Sequence, residues 1–201
     1  MDRRNYMQEM RDRIEAAKVG SVFVASDFAD ITETKRVSEY LVRLSENNIV
    51  KCVMRGVFYK PEYSKLLDEY IAPAPNAVAN AIARNYGWSI IPCGDTALNL
   101  LGLSTQVPVV WSYVSDGPYK AYSFDRTTIR YKHTTNKEIS KISPKTALVI
   151  QALKTLGKDA IRDETIERIK AETTPDERKA MLTEAQYATS WIYETIKTIC
   201  R

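Results

Sequence analysis

The sequence predicts an α+β chain: an N-terminal helix-rich domain closed by a hairpin, then a mixed α/β domain ending in a helical tail. Three observations carry this. Apolar residues recur three and four apart over 6–18 and 34–47, the spacing of amphipathic helices. Runs rich in β-branched and aromatic residues flank Arg55-Gly56 and recur between 88 and 132, the content of strands. From Pro144 onward the pattern is helical to the end. Apolar residues at 44% and charged residues at 27% mark a globular chain rather than a disordered one.

In order, Tyr6, Met7, Met10, Ile14 and Ala17 line one face of a helix over 6–18, with Gly20 as its stop. Val22-Phe23-Val24 reads as a short strand. Ser26-Asp27 offers an N-cap to a brief second helix reaching about Ile31, and Thr32 or Thr34 an N-cap to a third that ends at Asn47 or Asn48. At about 100° per residue, Val37, Tyr40, Leu41 and Leu44 of that third helix share an inward arc. Lys35, Glu39, Val42 and Glu46 lie opposite. Val50–Met54 and Val57–Lys60 around Arg55-Gly56 form a hairpin closed by Pro61. Helix, strand, helix, helix, hairpin is the order of a winged helix-turn-helix. Ala72-Pro73-Ala74-Pro75 punctuates the chain stiffly, so the expected domains are 1–71 and 72–201.

The second domain begins with an Ala-rich helix over 76–86 and a strand over 88–92. A helix over 94–101 follows, capped by Asp95 or Thr96 and ended by Gly102. Strands follow over 107–115, 119–124 and 127–132, the first two turning at Asp116-Gly117-Pro118. The tail from about 144 breaks at Gly157-Lys158 and at Thr173-Thr174-Pro175.

No apolar run approaches the roughly 18–20 residues of a membrane span, and the charged start gives no secretory signal. Cys52, Cys93 and Cys200 are odd in number and far apart, so neither a disulfide framework nor a zinc spacing is expected. A cytoplasmic protein without metal or cofactor follows. Catalytic residues are expected to be absent. The single histidine, His133, has no cysteine or carboxylate beside it, and no glycine-rich phosphate loop occurs.

Nucleic acid is the better expectation. A recognition helix needs an N-terminal turn that reaches base edges and cations that grip phosphate. Lys35, Arg36, Ser38 and Glu39 occupy such a turn, with Arg43 further along. Lys51, Arg55 and Lys60 supply a cationic wing. The competing reading of these residues is a solvated face used for protein contact, since residues 1–65 carry only a slight positive excess. The net charge of +4 is unevenly spread. Residues 120–158 hold nine Lys/Arg against two Asp/Glu, so Arg126, Arg130, Lys132, Lys137 and Lys141 form a second basic stretch. Lys120 and Lys145 belong to the same run, interleaved with Tyr119, Tyr122, Phe124 and Tyr131. Alternation would set cations on one sheet face and aromatics on the other. That stretch could extend a DNA footprint, meet an acidic partner or be only a solvated sheet face.

The residues also resemble a known family. The N-terminal order, ending in Val53-Met54-Arg55-Gly56-Val57-Phe58-Tyr59, looks like the winged-helix start of the AbiEi-type antitoxins of bacterial abortive-infection systems. Gly87–Gly94 and Ala97–Pro108, the latter containing Gly102-Leu103-Ser104-Thr105-Gln106-Val107-Pro108, resemble the C-terminal domain of a related group. Asp116-Gly117-Pro118 and Tyr131-Lys132-His133 continue the likeness to about Gly157. The resemblance implies a repressor that binds inverted repeats of double-stranded DNA in its own promoter, with Lys35, Arg36 and Arg43 at the matching positions. It also implies an antitoxin that counters a nucleotidyltransferase-like toxin without a stable complex. Two alternatives stand beside it: a stand-alone winged-helix regulator with a ligand- or partner-sensing C-terminal domain, and an enzyme.

Overall fold

Helix formation begins where a side chain satisfies the first exposed amide. Asn5 accepts from Gln8 N at 3.1 Å and opens α1 (Tyr6–Ala16), which buries Met10 and Ile14. In this computed structural model, which describes residues 5–134 and 142–201, the chain then turns at Gly20 into β1 (Val22–Val24). α2 (Thr34–Glu46) and the hairpin of β2 (Lys51–Met54) and β3 (Val57–Tyr59) follow. The hairpin turns at Gly56, whose φ of 79° favours a residue without Cβ. β3 lies between β1 and β2, antiparallel to both. Met10, Ile14, Phe28, Val37, Leu41, Leu44 and Phe58 meet in one apolar cluster.

Several details differ from the sequence reading. The brief second helix is a 3-10 turn over Ala25–Phe28, and Asp27 acts from inside it, accepting from Val24 N at 3.0 Å. Neither Thr32 nor Thr34 caps α2. Glu33 holds the cap position without a side-chain bond, and Thr34 is already helical. A ribbon without a sequence signal lies beyond the hairpin in the chain: β4 (Glu62–Ser64) pairs antiparallel with β5 (Glu69–Ile71). Its strands are only three residues long and exposed, so they lack the buried alternation that marks a strand in sequence.

The chain divides into two compact units, 1–88 and 89–201, rather than at residue 72. α3 (Pro75–Tyr86) therefore belongs to the first unit. The Ala72–Pro75 segment starts this helix, with Pro75 at its first turn, where a missing N–H costs nothing. Arg84 of α3 bonds Asp27 at 3.0 Å and the Val22 carbonyl at 3.2 Å, which fastens the helix to β1 and the 3-10 turn.

The second unit contains β6 (Ile90–Pro92), α4 (Asp95–Leu100), β7 (Val110–Ser115), β8 (Lys120–Phe124) and β9 (Thr127–His133). Their sheet runs β6-β7-β9-β8, and β7 pairs parallel with β9. The turn at Asp116-Gly117-Pro118 therefore does not join two paired neighbours. It carries β8 to the far side of β9, and Asp116 accepts from Ser89 N at 2.8 Å. Nor do Asp95 or Thr96 cap α4: Gly94 holds the cap position, and Thr96 Oγ1 instead accepts from Ser112 N of β7 at 2.8 Å.

The helical tail comprises α5 (Pro144–Leu156), α6 (Asp163–Ala171), α7 (Pro175–Glu184) and α8 (Ser190–Ile199). A break over 185–189, unmarked by Gly or Pro, separates the last two. Val149, Leu153, Ile169, Met181, Ile192 and Ile196 share its core. α5 also reaches the sheet through Ala147 against Ile91. No helix among the described residues is long and apolar enough to cross a membrane.

Two stability predictions follow from this packing. Leu41→Ala should lower unfolding free energy by about 2–5 kcal/mol, read from urea titration, because Leu41 is enclosed by the first core. In the second unit, Glu184 accepts from Ser143 Oγ at 2.7 Å and Ser143 N at 3.0 Å, tying α7 to the start of α5. Desolvation pushes its carboxyl up, but hydrogen bonds from Thr146 and Ser143 outweigh it, leaving the folded pKa below the ordinary value of 4.5. The unfolded chain therefore takes up this proton first. The stabilising contribution is present above the unfolded pKa and fades as pH falls through the folded one. Glu184→Gln should flatten the acid limb of a melting-temperature profile below about pH 4.5.

Candidate nucleic-acid interface

α2 arranges its residues by burial. Val37, Leu41 and Leu44 are enclosed and Tyr40 is half-buried, so the remaining arc faces outward. Lys35, Arg36, Ser38, Glu39 and Arg43 are all exposed on it. Lys35 and Arg36 form no ion pair among the described residues, and both lie in the first turn, where helix N–H groups also point outward. Ser38 Oγ donates back to the Thr34 carbonyl at 3.0 Å, so its hydroxyl keeps acceptor capacity. The Arg43 guanidinium lies 6.0 Å from the Tyr40 ring centroid, which holds it along the helix side.

The three hairpin cations separate by role. Arg55 is exposed in the β2–β3 turn. Lys51 lies over the Tyr70 ring at 3.8 Å, clamping the β4–β5 ribbon to β2. Lys60 points elsewhere. Its ammonium donates to the Glu15 carbonyl at 2.6 Å and the Ala17 carbonyl at 2.8 Å, satisfying the C-terminal end of α1. The spacing 51, 55, 60 could not separate these roles, because those of Lys51 and Lys60 are set by partners distant in sequence.

The second basic stretch is only partly one surface. Arg130 and Lys132 are exposed on one face of β9, while Ile129 and Tyr131 are buried on the other. Arg126 is exposed in the β8–β9 turn beside Asp125. Lys120 pairs opposite Tyr131, so it belongs to the aromatic face rather than the cationic one. Lys145 donates to the Glu172 carbonyl at 2.9 Å, at the end of α6. Lys137 and Lys141 lie outside the described residues.

His133 Nδ1 donates to the Gly117 carbonyl at 2.9 Å, and its ring faces Tyr119 edge-on, contacts that anchor the loop after β7. Cys93 is buried, and desolvation pushes its thiol up, away from the thiolate a nucleophile needs. Burial also raises Tyr113 and Tyr131. Among the described residues no three His, Cys, Asp or Glu side chains gather as a metal-ligand group.

The model of a family of unknown function, DUF6088, matches residues 9–180. The chain belongs to this family. No curated protein matches it. The DUF6088 match takes in both units, from α1 into α7, so the α2 surface and the β9 face both fall inside the family region, while α8 lies beyond it.

The roles of the hairpin cations predict a separation. Lys60→Met should destabilise the first unit by about 1.5–3 kcal/mol, the range for hydrogen bonds to a charged group. Arg55→Ala should leave thermal unfolding within about 0.5 kcal/mol of the parent, as expected at an exposed turn position. Paired chemical denaturation curves measure both.

Proposed function

We propose that the N-terminal unit is a winged helix-turn-helix that binds double-stranded DNA, with α2 as recognition helix and the Arg55 turn as wing. The observation carrying this reading is that α2 encloses Val37, Leu41 and Leu44 while Lys35 and Arg36 are exposed at its N-terminal turn. Paired cations there reach guanine edges or phosphate, and Glu39 accepts from cytosine. Arg43 and Arg55 grip backbone on either side, with Lys51 nearby on β2. Lys60 contributes by holding α1 rather than by touching DNA.

With the resemblance to AbiEi-type antitoxins, this makes the chain a cytoplasmic, non-enzymatic repressor of its own operon. It recognises inverted repeats and counters a nucleotidyltransferase-like toxin without forming a stable complex. A second reading, a regulator whose C-terminal unit senses a small ligand, is favoured by a concavity of about 690 Å³ beside α5 and α7. Ile91, Ile142, Ala147 and Ile150 line it, with Lys154 and Glu184 also contributing. That size suits a small molecule.

The test uses a duplex selected from random sequence by the intact protein. Lys35→Ala with Arg36→Ala should weaken binding in a gel-shift titration by about 1–3 kcal/mol per lost base contact. A lost phosphate contact should also make the dependence of log K on log salt shallower by about 0.9. Equal affinity for parent and variant would overturn the DNA reading. Co-expression with a neighbouring nucleotidyltransferase should restore growth with either form, since the antitoxin task is assigned to the other unit. Failure of the parent to rescue counts against that half.

A further inference from the structure

Ala147, Ile150, Gln151 and Lys154 stand three and four apart on α5, so they share one stripe of that helix. The stripe is one wall of the concavity of about 690 Å³, and residues of the 183–189 stretch line it as well. This wall changes character along its length. At the start of α5 it is apolar, where Ala147 meets Ile91 of β6 and Ile142 and Ile150 also line the space. Gln151 and Lys154 make the other end polar, with Lys154 about 10 Å from Ala147 by helix rise. A groove that is aliphatic at one end and cationic at the other fits a molecule with the same asymmetry. Its volume lies in the range of small-ligand sites.

Charge narrows the occupant. Among the described lining residues the charged ones are Lys154 and Glu184, and they are not equivalent. Glu184 is already committed, accepting from Ser143 N and Oγ and from Thr146. Those donors sit at the start of α5, whereas Lys154 lies in its last turn, about 12 Å from Thr146 by helix rise. At that separation, beyond the Debye length of about 10 Å in 0.1 M salt, exposed charges are largely screened from each other. Lys154 is exposed and forms no ion pair among the described residues, so its ammonium is available to an anion. One cation balances one negative charge, which suits a carboxylate better than a phosphate monoester with its charge of about −2. The Gln151 amide, one turn back on the same stripe, supplies donors to the same head group.

We infer that this groove binds a medium-chain aliphatic monocarboxylate, its chain against Ile91, Ile142, Ala147 and Ile150 and its carboxylate at Lys154 and Gln151. The distance of about 10 Å between the two ends corresponds to roughly eight carbons, at about 1.3 Å of advance per extended C–C bond. The inference deepens the ligand-sensing reading of the second unit, on which it rests, and is independent of the DNA reading. A bound chain touches β6, α5 and the link between α7 and α8 together, so binding stabilises the packing of those elements.

Isothermal titration of the full chain with octanoate, octan-1-ol and octylamine tests it. Octanoate should saturate one site per chain with a dissociation constant of about 1 mM or tighter. Hexanoate should bind more weakly, by about three- to fourfold for each methylene removed. The alcohol and the amine should bind the parent at least about tenfold more weakly than octanoate. Lys154→Met should remove that preference while leaving octanol affinity unchanged, and Lys154→Glu should reverse it in favour of octylamine. Position 154 is exposed, so both variants should keep the parent's melting temperature. Octanol or octylamine binding the parent as tightly as octanoate would overturn the carboxylate assignment and leave the ligand-sensing reading standing. Octanoate binding that Lys154→Met and Lys154→Glu leave unchanged would overturn the site. If none of the three ligands saturates by about 5 mM, the inference and the ligand-sensing reading fall together.

Discussion

Burial of one stripe on α2 is the constraint from which the first unit's surface follows. Val37, Leu41 and Leu44 are seated among Met10, Ile14, Phe28 and Phe58, contributed by α1, the 3-10 turn and β3. A helix has no freedom to rotate once that stripe is enclosed, because turning it by one residue swings the face by about 100°. Enclosing the stripe therefore also sets where Lys35, Arg36 and Glu39 face. The same event serves stability and display, with half-buried Tyr40 packed against the edge of that core.

Around that core the polar contacts divide into fasteners and free ends. Lys60 satisfies the end of α1, Arg84 holds α3 to Asp27, and Lys51 clamps the ribbon through Tyr70. Lys35, Arg36 and Arg55 have no comparable partner among the described residues. A cation held at two carbonyls is already committed, whereas an exposed one remains available to an anion. This distinction, rather than the count of basic residues, gives the first unit its reading.

The second unit achieves its organisation differently. A parallel β7–β9 pair requires a crossover, and β8 supplies it, lying on the outer side of β9 before the chain returns. Arg130 and Lys132 then share one face because they are two residues apart on one strand, while Lys120 falls on the other by register. The tail encloses Val149, Leu153, Ile169 and Ile196 in a helical core that Ala97 and Leu101 after β6 also enter, with α5 also packed on the sheet.

The amino-acid sequence by itself determined what periodicity and punctuation encode. The α+β class, the element order of 5–60, the stripe on α2 and the Gly56 turn were legible because each is local, written within one or two turns of chain. The helical tail was legible for the same reason, apart from its break at 185–189, which has neither Gly nor Pro to announce it. Tertiary structure alone decided what depends on distant partners. It assigned α3 to the first unit through Arg84 and Asp27, 57 residues apart. It made Lys60 a fastener through a carbonyl 45 residues away. It placed β9 between β7 and β8, and it formed a ribbon from strands too short and too exposed to alternate. Pairing register and ion-pair choice are properties of the folded whole, and no local pattern specifies them.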